Sequence, residues 1–135
     1  MLVLLNPGGA IEALPLKERH ALLERARLVE AASVPDVVRQ IELHIERTRL
    51  AVSRNEFIDL DLATRVASAL KAVLASYDDI ASDQARALIV GATFFFLKTN
   101  DVHPDLESPL GFDDDARVLN AVLHDIGRED LLVRL

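Results

Sequence analysis

The chain has 135 residues, with 15 Lys and Arg against 22 Asp and Glu, and a formal net charge of −7. Half of it is hydrophobic, only 4% is aromatic, and it contains neither Cys nor Trp. The length suits one domain over residues 1–135, the apolar fraction excludes disorder, and the missing Cys excludes disulfides and thiolate metal sites. The acidic balance argues against nucleic acid as a partner, because phosphate contacts need a basic footprint.

Residues 1–5 are apolar and are followed by Asn6-Pro7-Gly8-Gly9. A secretory signal needs a basic start and an apolar run of about 7–15 residues. Neither is present here, so a cytoplasmic location is expected. Residues 2–5 also carry the one weak strand pattern in the chain. The first helix is predicted over about residues 17–32, which are rich in Ala, Leu, Glu and Arg.

Ser33 opens an S-x-x-D pattern ending at Asp36, with Pro35 in the first turn, which predicts a second helix start. Val38, Ile41, Ile45, Thr48 and Val52 step by three and four and form its apolar face. A third helix is expected from about residue 61 to 77, capped by Asp59 or Asp61, with Leu62, Val66, Ala69, Leu70 and Val73 inward. A fourth follows Asp78-Asp79 with Ser82 or Asp83 as cap. It runs to about residue 98 and is apolar almost all round, so it should be the central helix. Its apolar run is too short to span a membrane, which takes about 20 residues.

Residues 99–112 contain Pro104, Pro109 and Gly111 and read as a loop. A fifth helix should begin near residues 113–115, with Val118, Leu119, Val122, Leu123 and Ile126 as its core face and Gly127 as its cap. The expected fold is therefore an all-α, single-domain helical bundle of about five helices. Charge is uneven along it. Residues 1–76 are neutral overall, and residues 77–135 carry the whole excess of −7. That points to an acidic C-terminal surface.

The stretch from Phe94 to Asp115 is the most informative. An apolar helix leads to Asp101; Pro104-Asp105 follow; then come a turn with Gly111 and a carboxylate pair, Asp114 and Asp115. This pattern resembles the YkvA-like family of small bacterial helical domains, whose function is largely unknown. The resemblance covers about residues 86–123. It implies a helical hairpin in which Asp101, Pro104, Asp105, Gly111, Asp114 and Asp115 form turns and caps or a binding loop. The chain departs from the family at Asp113, which stands at an apolar place, and at Lys98-Thr99-Asn100, which are more polar than usual. Both departures point away from a membrane-proximal role.

Two chemistries follow from these residues. Asp101, Asp105, Asp114 and Asp115, with His103 or His124, offer oxygen and nitrogen ligands for a divalent cation. This is the alternative reading, a metal-binding protein or metal-dependent hydrolase. His124-Asp125 also resembles the dipeptide of HD-type phosphohydrolases, but a distant downstream Asp ligand is lacking. No complete catalytic set is recognisable, and no cofactor or resident metal is expected. His20 and His44 lie among charged residues and read as exposed. Phe94, Phe95 and Phe96 point in three directions on a helix, so one or two should be core and the third a partner contact. The leading expectation is a non-enzymatic interaction module that engages a protein partner or a second copy through the acidic surface and the apolar fourth helix. Membrane association is disfavoured.

Overall fold

The computed structural model describes residues 8–54, 58–97 and 111–135. Within them the chain is an all-α bundle, with no strand among the described residues. Six α-helices follow one another: α1 (Gly9–Glu12), α2 (Leu16–Ala26), α3 (Val34–Val52), α4 (Leu60–Ala75), α5 (Asp83–Leu97) and α6 (Gly111–Asp125). Short 3-10 turns cover Arg27–Ala31, Tyr77–Asp79 and Glu129–Leu131.

The helix starts follow local chemistry. Asp59 caps α4 by accepting from the Leu62 N–H at 2.9 Å. Ser82 does the same for α5, accepting from Ala85 N–H at 3.1 Å. Ser33 precedes α3, but its hydroxyl makes no cap bond; Pro35 in the first turn serves that start instead. The predicted first helix is shorter than expected. It leaves α geometry at Ala26 and tightens into the 3-10 turn Arg27–Ala31, a common way for a helix to end.

The end of α6 is closed by Gly127, which adopts φ +81°, a left-handed conformation that only glycine takes without steric cost. The Arg128 N–H then reaches the Leu123 carbonyl at 2.8 Å, and the Gly127 N–H reaches that of His124 at 3.3 Å. Orphan carbonyls of the last turn are thereby paired.

Helix α5 is the centre of the bundle. Every residue from Ala87 to Thr93 is buried, and α5 touches α2, α3, α4 and α6. It packs tightly on α2 at Gly91. A Cβ placed there would lie 2.7 Å from the Leu22 carbonyl oxygen and 3.1 Å from the Ala26 Cβ. The missing side chain lets the two backbones approach. No helix among the described residues is long and apolar enough to cross a membrane.

The predicted face of α3 is rotated from the observed one. The buried residues are Val37, Ile41, His44, Thr48 and Ala51, whereas Val38, Ile45 and Val52 are only half-buried. This corrects the expected exposure of His44, which is 2% exposed. Helices α4 and α5 both pack on α3, so its apolar stripe is broad and His44 stands inside it. The weak strand pattern at residues 2–5 lies outside the described residues.

Candidate functional site

Of the loop motif, Asp101, Pro104 and Asp105 lie outside the described residues, as does His103. Gly111, Asp114 and Asp115 are placed. Gly111 does not sit in the turn before the fifth helix. It is the first residue of α6, which starts two residues earlier than the acidic run suggested. Phe112 in that first turn is completely buried and draws the helix start inward.

Asp114 and Asp115 are both buried. Asp114 does not cap α6. It accepts from Arg117 Nη2 one turn on, and Arg117 Nε donates to Glu18 Oε1 of α2 at 3.0 Å. Glu18 is itself buried. One half-exposed guanidinium thus joins two buried carboxylates and ties α2 to α6. Asp115 is buried as well, at 2% exposure.

The aromatic part of the core meets the motif here. The His44 ring stands edge-on to Phe96 at 4.8 Å between centroids and 6.3 Å from Phe112. Thr48, one turn along α3, is buried with its hydroxyl bonded to the His44 carbonyl at 2.8 Å. Phe95 and Phe96 are therefore core residues, and Phe94 is half-buried against the core. The Phe95 ring is covered by the Arg25 guanidinium at 5.7 Å. The apolar face of α5 is spent on the bundle, so it offers a partner little surface. The acidic surface is also reduced, because Asp114, Asp115 and Asp125 turn inward.

The His-Asp dipeptide resolves into two different residues. His124 is exposed, while the Asp125 side chain is 6% exposed. Asp125 accepts from the backbone N–H groups of Ala10 at 3.1 Å and Ile11 at 2.9 Å. It therefore caps α1 from the far end of the chain. Exposed N–H groups at a helix start favour a carboxylate, and the pair is charge-assisted. Among the described residues no three His, Asp or Glu side chains come together as a metal set.

The C-terminal tail is fixed by a similar device. Asn120 Nδ2 donates to the Val133 carbonyl at 2.8 Å, and the Val133 N–H donates back to Asn120 Oδ1 at 2.7 Å. Helix α6 thus holds α1 on one side and the tail on the other. Between them lies a groove of about 740 Å³. Arg117, Asn120, Ala121 and His124, spaced three and four apart on one face of α6, form its floor. That face is roughly 10 Å long at 1.5 Å per residue. Ala10, Ala13, Leu14 and Pro15 make one wall; Leu132, Val133 and Arg134 make the other.

The chain matches no family model, and no curated protein or solved structure matches it.

Sequence reasoning missed the groove. Its walls are residues 10–15 and 132–134, which are short and carry no periodic pattern. The one local signal is the spacing of Arg117, Ala121 and His124, a stripe beside the core face of α6. Volume, apolar lining and a few polar groups are the usual marks of a small-ligand site.

Proposed function

We propose that this chain is a non-enzymatic helical binding module and that the groove on α6 is its ligand-engaging surface. One observation carries the reading: an apolar trough of about 740 Å³ whose walls are held in place by Asp125 and Asn120. Pockets for small ligands span about 300–1,000 Å³ and are mostly apolar. The resemblance of residues 86–123 to YkvA-like domains belongs to the same proposal. It supplies a helical hairpin, α5 and α6, whose second arm forms the floor.

The test uses N-phenyl-1-naphthylamine, a neutral dye that fluoresces in apolar surroundings. Added to the full chain, it should brighten with a saturable dependence on protein concentration. Ala13 is exposed on the groove wall, so Ala13→Trp should fill the trough without touching the core. Dye binding about tenfold weaker in that variant supports the reading. Equal binding in the two proteins overturns it.

A further inference from the structure

We propose that the groove on α6 takes an unbranched aliphatic monocarboxylate, with its chain between the apolar walls and its carboxylate at the Arg134 guanidinium. This inference rests on the groove being the binding surface and names the chemistry it selects. The chain is strongly acidic overall, yet the titratable residues lining the groove are Arg117, His124 and Arg134, with no Asp or Glu among them. An anionic ligand is favoured at the one of these cations that the protein's own carboxylates leave unanswered.

The three are not equivalent. Arg117 is already held by Glu18 and Asp114, so its charge is answered within the protein. His124 lies 3.4 Å from Asp125. Arg134 makes no ion pair among the described residues, and the tail is anchored without its side chain. Asn120 bonds to Val133, and the Arg134 carbonyl accepts from Arg65 Nη1. Arg134 lines the trough, and a guanidinium is a strong, directional partner for a carboxylate.

The rest of the ligand follows from the walls. Ala10, Ala13 and Ala121 are small and leave a smooth channel, while Leu14 and Leu132 give it apolar sides. An extended peptide would need main-chain partners along a wall. At Val133 both backbone groups are already taken by Asn120. A protein surface would need about 20–30 residues a side for a standard interface, and the groove has eleven. A methylene chain needs neither.

The experiment is displacement of N-phenyl-1-naphthylamine from the full chain by decanoate and by 1-decanol, each below its aggregation limit. Decanoate should displace the dye at a concentration about tenfold lower than decanol, the effect of one charge-assisted bond. Arg134→Gln should bring decanoate to the level of decanol, and Arg134→Lys should keep most of the preference. Equal displacement by acid and alcohol in the unaltered chain would overturn the anion assignment and leave the groove reading standing. A preference that survives Arg134→Gln would overturn the placement of the carboxylate. Failure of both to displace, or displacement unchanged in Ala13→Trp, would overturn this inference together with the groove reading.

Discussion

Gly8 lies directly against the Asp125 side chain: a Cβ built on Gly8 would sit 2.7 Å from Asp125 Cγ. The absent side chain is what lets that carboxylate reach the N–H groups of Ala10 and Ile11. Gly8→Ala should therefore cost about 1–3 kcal/mol, the usual cost of overpacking a tight site. Asp125→Ala should cost about 2–3 kcal/mol, because two bonds to a buried carboxylate disappear. Urea denaturation measures both. Amide exchange at Ala10 and Ile11 should accelerate in both variants before global unfolding.

Gly91→Ala is expected to reverse the ordinary rule for helices. On an exposed helix face that change stabilises by about 1 kcal/mol. Here the new methyl would meet the Leu22 carbonyl oxygen at 2.7 Å, a backbone atom that cannot swing aside. A net loss of about 1–2 kcal/mol is expected by thermal or urea unfolding. A gain would mean that α2 and α5 separate freely.

His44→Ala should cost about 2–4 kcal/mol, since it removes a ring packed on Phe96 and opens a cavity near the centre of the bundle. Leu43→Ala, one residue away on the exposed side of α3, should change stability by less than about 0.5 kcal/mol. The contrast between the two measures the rotation of the α3 face directly.

Asn120→Ala should release the tail. Two neutral hydrogen bonds are lost, for about 1–2 kcal/mol. Binding of N-phenyl-1-naphthylamine should weaken at the same time, because one wall of the groove comes loose. Asn120→Asp keeps the acceptor for the Val133 N–H but sets a carboxylate oxygen against the Val133 carbonyl, so it should also loosen the tail.

Tyr77 provides a pH test. Burial is the main reason its phenol titrates above the ordinary value of 10.0; Arg86 opposes the shift, and Asp78 and Asp83 add to it. The folded state thus binds this proton more tightly than the unfolded chain. Its contribution is fully present below pH 10 and is lost as the pH climbs through the raised folded value. Absorbance at the tyrosinate band should show a midpoint above 10 that falls when the protein is unfolded in urea. Tyr77→Phe should flatten the alkaline part of the stability curve.

The helices were legible from the sequence because their signals are local. Asp59, Ser82 and Gly127 stand at the ends that their chemistry suits, and of the expected core face of α6 Val118, Leu119, Val122 and Leu123 are buried while Ile126 is half-buried. The phase of α3 was not legible. His44 counts as polar in any periodicity, so the reading shifted to the half-buried Val38, Ile45 and Val52. Helix α1 was missed for another reason. Four residues make no repeat, and the group that caps it is more than a hundred positions away. The inward turn of Asp114 was equally hidden, since its partner Arg117 is shared with Glu18 on a different helix.

Asp125 also sets an order of events during synthesis. The Ile11 N–H waits for a partner made 114 residues later. At about 5–20 residues per second the ribosome takes roughly 6–23 s to supply it. Through that interval the segment around α1 has no cap and α6 has not formed, so neither wall of the groove can close on its floor. The groove is complete only once α6 and the tail residues 132–134 beyond it have both been made.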